Sequence, residues 1–115
     1  MNAKFFIKDG IPTLNPEDLS ELINFQIIDV RRPDEYTGEL GHIKSAQLVT
    51  LGPDLKSFLD KIEKSKPLIF VCRSGVRSGQ ATQDALQTGF TQVFNLDGGM
   101  LKWKSLGLPV TLSDL

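Results

Sequence analysis

The single cysteine of this 115-residue chain, Cys72, lies in the stretch FVCRSGVRSGQ, residues 70–80, directly after an apolar run. Arg73 and Arg77 follow the thiol closely, and Gly75 between them can adopt backbone conformations that other residues avoid. Nearby positive charge and converging backbone amides stabilise a thiolate, and arginine binds oxyanions through its forked N–H donors. The types and spacing of these residues therefore indicate a cysteine nucleophile that acts on an anionic substrate.

A structural role for the same thiol is the alternative. Cys72 would then be a buried apolar residue that ends a core strand, and the arginines would lie on a solvated face. A core cysteine followed by two arginines and a glycine turn is unusual, so we favour the reactive thiol. One cysteine excludes a disulfide within the chain, and one histidine with one cysteine is too few for a usual structural zinc site.

Composition and charge restrict the other classes of function. Hydrophobic residues make up 40% of the chain, enough for the core of one domain over residues 1–115. The 13 basic and 14 acidic side chains give a net charge of −1, which provides no general attraction to nucleic acid or to anionic membranes. No apolar run approaches the length of a membrane span or of a signal-peptide core. We expect a soluble, cytoplasmic protein that binds neither nucleic acid nor membrane.

Short apolar runs alternate with amphipathic stretches, and this alternation predicts the elements that position the thiol. The strand candidates are QIIDV, AQLVT, PLIFV and TQVFNL, at residues 26–30, 46–50, 67–71 and 91–96. Helices are predicted from Pro16 to about Ile23, from Pro33, over 55–62, from about Ser78 to Thr88, and before Pro109. Strands that alternate with helices predict a parallel sheet with helices on both faces, whose ligands bind at the carboxyl ends of the strands. Cys72 directly follows the third of these strands.

Three segments resemble, in order, the signature regions of the single-domain rhodaneses, or thiosulfate sulfurtransferases. The segments are IIDVRRPDEYTGELGHIKSA, VCRSGVRS and LDGGMLKWKSLGLPV. The resemblance implies an α/β fold of three layers, α/β/α, with a five-stranded parallel sheet. The preceding segment KFFIKDGIPTL is predicted to form a short hairpin around Asp9 and Gly10.

The resemblance also implies a function and a set of site residues. Cys72 takes sulfane sulfur from a small donor such as thiosulfate, holds it as a persulfide, and passes it to a thiophilic acceptor: cyanide, a thiol or a protein. This chemistry requires no metal and no organic cofactor. The residues that the resemblance places around the sulfur, with the loop amides of 73–77 cradling it, are Arg73, Ser74, Gly75, Val76, Arg77 and Ser78.

Alternative functions remain open on the same fold. The persulfide chemistry could serve a specific protein partner in a sulfur relay. The dual-specificity cell-cycle phosphatases and some arsenate reductases also resemble rhodaneses, but their loops follow CxxxxxR, whereas this chain has CxxxxR from Cys72 to Arg77. The shorter loop suits the single terminal sulfur of a persulfide better than a tetrahedral oxyanion. A non-catalytic binding module of this family typically lacks the cysteine.

Other polar and aromatic residues in the signature segments are expected to be structural. Asp29, Arg31 and Glu35 are predicted to form ion pairs at the sheet edge rather than to contact substrate. His42, the only histidine, is predicted to make a structural hydrogen bond rather than to act as a base beside the thiol. Trp103 is assigned to the core or to a lid.

Overall fold

The computed structural model describes residues 4–112, which form one six-stranded sheet with helices on both faces. The strands are β1 (Phe6–Lys8), β2 (Ile11–Leu14), β3 (Gln26–Asp29), β4 (Gln47–Leu48), β5 (Leu68–Val71) and β6 (Val93–Leu96). The helices are α1 (Pro33–Tyr36), α2 (Pro53–Asp60), α3 (Val76–Gln87) and α4 (Gly99–Ser105), together with a 3-10 helix over Pro16–Glu21.

The strand order in the sheet is β1-β2-β6-β5-β3-β4. Strands β2, β6, β5, β3 and β4 run parallel, and β1 pairs antiparallel with β2. The predicted five-stranded parallel sheet is therefore present, and the N-terminal hairpin adds a sixth strand at its edge. Asp9 and Gly10 form the turn with φ of 52° and 80°, the left-handed conformations that a tight two-residue hairpin turn requires.

Two apolar cores lie on opposite faces of the sheet, because successive side chains of a strand point to opposite sides. Ile69 and Val71 belong to the core beneath the 3-10 helix and α4. Leu68 and Phe70 belong to the core beneath α2 and α3, and Cys72 continues this second set beyond the end of β5. The residues of β5 are all buried, as expected of a strand covered on both faces.

The helices cover the sheet through few buried residues. Helix α2 buries Leu55 and Leu59, and α3 buries Ala81 and Ala85 among others. The longest helix, α3, has 12 residues, and within residues 4–112 no helix has the length and apolar character needed to cross a membrane.

The segment predicted as an α-helix from Pro16 to about Ile23 is instead a 3-10 helix that ends at Glu21. Leu19 of this helix and Leu22, which directly follows its end, are both buried. Asn15 precedes the helix in an extended conformation but makes no capping hydrogen bond through its side chain. The predicted start at Pro16 is therefore confirmed, whereas the predicted helix type is wrong.

Helix α3 begins at Val76, two residues before the predicted start at Ser78. Gly75 precedes the helix with φ of 101°, and this left-handed residue turns the chain so sharply that the helix starts directly after it. The prediction that the loop extends to Arg77 was therefore wrong. Only residues 73–75 form the loop, and the next three residues occupy the first turn of α3.

Candidate active site

Cys72 lies at the carboxyl end of β5, between the strands β6 and β3 that flank β5. This is the edge at which parallel sheets bind their ligands. The residue is only 1% exposed and packs in the same apolar core as Phe70. The thiol therefore occupies the predicted position on the sheet, but it lies beneath the surface.

Two polar groups contact the sulfur. The backbone N–H of Gly75 donates to Cys72 Sγ over 3.1 Å, and the hydroxyl oxygen of Ser78 lies 3.2 Å from the same atom. Gly75 directly precedes α3 and Ser78 lies in its first turn, so the sulfur faces the N-terminus of this helix. Unpaired amides and the helix dipole favour negative charge at that end. The arrangement therefore places the positive end of a helix next to the sulfur.

Ser78 connects the thiol to Asn95, a buried residue of β6. Ser78 Oγ lies 2.5 Å from Asn95 Oδ1, and Asn95 Nδ2 donates to the carbonyl oxygen of Gly75 over 3.0 Å. Asn95 was not among the site residues predicted from the sequence. The signal that could have identified it is an asparagine within the apolar run VFNL, because a buried amide must find hydrogen-bond partners.

The two arginines of the motif have different partners. Arg77 donates two hydrogen bonds to Glu35 of α1, from Nη1 to Oε1 over 2.7 Å and from Nη2 to Oε2 over 2.9 Å. These bonds lower the pKa of Glu35 to about 2 and raise the pKa of Arg77 above its ordinary value. Arg73 is exposed and forms no ion pair with any residue between 4 and 112. Arg73 is thus the loop cation that is available to an anionic substrate.

The residues predicted to form ion pairs at the sheet edge do so, with one change of partner. Asp29 accepts from Arg31 Nε at 2.9 Å and from Arg31 Nη2 at 2.8 Å, and both side chains are buried. Arg31 Nη2 also donates to the carbonyl oxygen of Gly41 over 2.8 Å. Glu35 does not join this pair, because it is engaged by Arg77 and so fixes the first turn of α3 to α1.

His42 and Trp103 take structural places. His42 Nδ1 lies 2.7 Å from the carbonyl oxygen of Tyr36, the two rings stack with centroids 3.5 Å apart, and the backbone of His42 bridges to Thr111. The predicted structural hydrogen bond of His42 is confirmed. Trp103 is buried, and its indole N–H donates to the carbonyl oxygen of Pro109 over 2.9 Å, which places it in the core.

The start of α4 forms backbone hydrogen bonds with the cysteine loop. The backbone N–H of Met100 donates to the carbonyl oxygen of Cys72 over 2.9 Å, and that of Leu101 donates to the carbonyl oxygen of Arg73 over 3.0 Å. Gly99 lies so close that an added Cβ would clash with the Cys72 carbonyl oxygen and lie 2.6 Å from that of Arg73. The glycines of the segment LDGGM therefore allow α4 to approach the cysteine loop.

Two cavities border the loop. One of 270 Å³ lies between the N-terminal hairpin and the loop, with Gly75 and Asn95 in its wall, and one of 170 Å³ is lined in part by Arg73 and Glu35. Cys72 lines neither cavity, but its neighbours Arg73 and Gly75 each border one of them. Within residues 4–112, no group of three or more His, Cys, Asp or Glu side chains could hold a metal ion.

Two proteins with similar sequences align with most of this chain. The uncharacterized protein YqhL of Bacillus subtilis is 42% identical over 78 residues, which are 68% of this chain and 60% of YqhL. The chain thus spans less than two thirds of that relative. The thiosulfate sulfurtransferase GlpE of Pseudomonas paraeruginosa is 30% identical over 102 residues, which are 87% of this chain and 90% of GlpE.

A solved structure and a family description are also similar to this chain. The crystal structure of a rhodanese-related protein from Thermoplasma volcanium superposes with a TM-score of 0.77 at 28% identity, covering 88% of this chain and 98% of that chain. Residues 15–106, which include β3, the cysteine loop and α4, match the description of the Rhodanese-like domain. The resemblance inferred from the three segments is thereby confirmed, and the chain belongs to the rhodanese-like domain family.

Proposed function

We propose that this chain is a sulfurtransferase that carries sulfane sulfur as a persulfide on Cys72. The observation that carries the proposal is the position of Cys72 Sγ, which contacts the Gly75 amide and the Ser78 hydroxyl at the N-terminus of a 12-residue helix. The relative GlpE, a thiosulfate sulfurtransferase, supports thiosulfate as the donor. In this proposal the substrate-binding residues are the loop residues 73–75 and the first turn of α3.

In the first half-reaction, the Cys72 thiolate attacks the outer sulfur of thiosulfate. A bond forms between Sγ and that sulfur, the S–S bond of thiosulfate breaks, and its electron pair leaves with sulfite. Arg73 attracts the dianion to the loop, since its guanidinium forms no ion pair with a carboxylate of residues 4–112. The terminal sulfur of the persulfide then carries the negative charge, which amides at the start of α3 stabilise.

In the second half-reaction, a nucleophile attacks the terminal sulfur and the electron pair of the S–S bond returns to Sγ. Cyanide yields thiocyanate, and a thiolate yields a new persulfide on the acceptor. A protein acceptor is the second candidate, and the surface beside the thiol favours it. Val76 in the first turn of α3 is 77% exposed, and an exposed apolar side chain next to a reactive group suits docking of a partner.

The site is less suited to phosphate or arsenate chemistry. Arg77 stands one residue earlier than the arginine of CxxxxxR, and its fork is already bound by Glu35. The position that would carry that arginine is Ser78, whose hydroxyl contacts Asn95 in the interior. Phosphate or arsenate would therefore meet no free arginine fork at the end of the motif, where Arg77 is bound by Glu35, and no wider ring of donors.

Intact-protein mass spectrometry tests the proposal. Incubation with thiosulfate should add the mass of one sulfur atom, cyanide or a reductant should remove it, and Cys72→Ser should take up none. Hydrolysis of an aryl phosphate should be negligible under the same conditions. Equal uptake by Cys72→Ser, or phosphate release that depends on Cys72 without sulfur transfer, would overturn the proposal.

A further inference from the structure

Asn95 lies in β6, opposite Phe70 of β5, and is 8% exposed. Its amide nitrogen donates to the carbonyl oxygen of Gly75 over 3.0 Å. Its amide oxygen lies 2.5 Å from Ser78 Oγ, which lies 3.2 Å from Cys72 Sγ. Asn95 therefore reaches the thiol through a single serine.

The chemistry of these groups determines which atom donates in each contact. A carbonyl oxygen only accepts, so the NH₂ group of Asn95 faces Gly75 and its amide oxygen faces Ser78. The amide oxygen also only accepts, so the one hydroxyl proton of Ser78 points to Asn95. The serine oxygen then presents a lone pair to Sγ, and the S–H of Cys72 donates to it. A neutral thiol completes this chain of hydrogen bonds.

A thiolate does not fit the same chain of bonds. The lone pair of Ser78 would repel a charged sulfur 3.2 Å away, so ionisation of Cys72 requires the serine proton to rotate from Asn95 to sulfur. That rotation leaves the buried amide oxygen of Asn95 without a donor, which costs free energy. A persulfide is different, because its charge lies on the terminal sulfur and Ser78 can keep its bond to Asn95.

We propose that Asn95 is a positioning residue that holds the Ser78 proton away from the sulfur and so disfavours the Cys72 thiolate relative to both the thiol and the persulfide. The part that concerns the thiol rests on geometry, and the part that concerns the persulfide rests on the proposed sulfur transfer. A disfavoured thiolate is a poorer leaving group when an acceptor takes the sulfur. Asn95 therefore biases the site toward its loaded state.

The rate of alkylation by iodoacetamide, measured from mildly acidic to alkaline pH, tests the first part. Asn95→Ala frees the Ser78 proton to bond the thiolate. We expect this variant to be alkylated about tenfold faster than wild type at mildly acidic pH, because a hydrogen bond to a charged group stabilises the thiolate. The profiles of the variant and the wild type should converge at alkaline pH. The substitution leaves the charged groups around the thiol unchanged. These are Arg73, Arg77, and the carboxylates of Asp29 and Glu35, which interact with Arg77.

Ser78→Ala is the matched background. It removes the hydroxyl through which Asn95 acts, while Asn95→Ala added to it still removes the NH₂ group that bonds the Gly75 carbonyl. We expect no acceleration when Asn95→Ala is added to Ser78→Ala. Acceleration there would mean that the loop has only loosened, and the proposal would be wrong. If Asn95→Ala does not fold, Asn95→Leu, which fills the space without an acceptor, replaces it with the same expected and contradicting outcomes.

A second readout separates this role from the sulfur transfer itself. Cyanide should discharge a preloaded persulfide faster in Asn95→Ala than in wild type, because Ser78 can then donate to the leaving thiolate. A slower or equal discharge would contradict the bias toward the loaded state. If the wild type takes up no sulfur while the alkylation results hold, sulfur transfer fails and the control of the Ser78 proton stands. If sulfur loads but Asn95→Ala leaves the alkylation rate unchanged, sulfur transfer stands and the control of the Ser78 proton fails.

Discussion

Arg73 and Arg77 lie on either side of the turn at Gly75, but only Arg77 has an ion-pair partner among residues 4–112. Arg77 is held by two hydrogen bonds to Glu35, so it fixes the start of α3 relative to α1. Arg73 forms no ion pair among residues 4–112 and is exposed in the thiol loop. Removing one arginine should therefore weaken the fold, and removing the other should weaken the capture of substrate.

Glu35→Gln tests the structural task. The variant should lose about 1 kcal/mol of unfolding free energy near neutral pH, because Arg77 keeps its donors but loses a charged acceptor. The pKa of Glu35 in the folded protein, about 2, lies below its ordinary value of 4.5. The ion pair therefore stabilises the fold fully above pH 4.5, and this contribution disappears as the pH falls toward 2.

Urea unfolding at several pH values measures this effect. The difference between wild type and Glu35→Gln should shrink steadily on acidification. Glu39→Gln is the control, because Glu39 forms no ion pair within residues 4–112, and its unfolding free energy should stay within about 0.5 kcal/mol of wild type. A difference for Glu35→Gln that is independent of pH would show that the charge of Glu35 is not what stabilises the pair.

Arg73→Met tests the substrate task, on the basis of the proposed sulfur transfer. The KM for thiosulfate should rise about fivefold with a smaller change in kcat, because an exposed cation mainly assists binding of the dianion. Arg73→Lys should recover most of the loss, and added salt should reduce the difference between wild type and Arg73→Met. A variant that loses kcat while its KM is unchanged would instead assign Arg73 to the reaction step.

At the scale of elements, three secondary-structure boundaries meet at the thiol: the end of β5, the start of α3 and the start of α4. The first two place Cys72 and Ser78 on either side of the sulfur contact. The third supplies amides to the carbonyl oxygens of Cys72 and Arg73. The loop is thus fixed by a helix that carries none of the residues that contact the sulfur, and these backbone hydrogen bonds require a close approach.

Gly99→Ala tests that close approach. The added methyl group would collide with the carbonyl oxygens of Cys72 and Arg73, and the residue has φ of 57°. Gly107→Ala is the matched control, since Gly107 has φ of 72° but open space around its Cα. The control should lose about 1 kcal/mol from backbone strain alone. Gly99→Ala should lose clearly more in urea unfolding and should also take up sulfur more slowly, and equal losses would contradict the steric role.

The local sequence was sufficient to predict the thiol site but not its support. An apolar run followed by a glycine turn predicted where Cys72 lies, because strand ends and turns depend on neighbouring residues. The contacts of Glu35 with Arg77 and of Ser78 with Asn95 were not predicted. They join different elements, and they depend on β5 lying between β3 and β6, which the alternation of strands and helices does not specify. The early start of α3 was missed because its cause is a backbone angle.

At the scale of the whole molecule, the apolar cores lie on both faces of the sheet and the thiol is part of one of them. Cys72 packs in the core that α2 and α3 cover, with Val30 and Phe70 in the same cluster. The sulfur is therefore shielded by the same packing that stabilises the fold. We therefore expect access to the sulfur to depend on local opening of the loop.

This burial predicts a strong dependence of alkylation on the size of the reagent. Cys72 is 1% exposed, so its rate with each reagent is compared with the rate of glutathione under the same conditions. On this relative scale, a bulky dye maleimide should react about tenfold or more slowly than iodoacetamide, which should still react measurably. Urea below the unfolding transition should narrow the gap, because it favours open states. A ratio equal to that of glutathione would mean that the sulfur is accessible in the native state.

The pairing of β2 with β6 has a consequence for biosynthesis. Thr13 and Leu14 pair with Asn95 and Leu96, and the Asp97 amide donates to the Leu14 carbonyl over 2.9 Å, although these strands lie near opposite ends of the described chain. Closing so long a loop costs chain entropy, so we expect this pairing to form late in folding. A ribosome releases β2 long before β6. Because Asn95 arrives with β6, a nascent chain carries its cysteine before the residue that holds the serine proton is in place, and the pocket is completed only when the last strand docks.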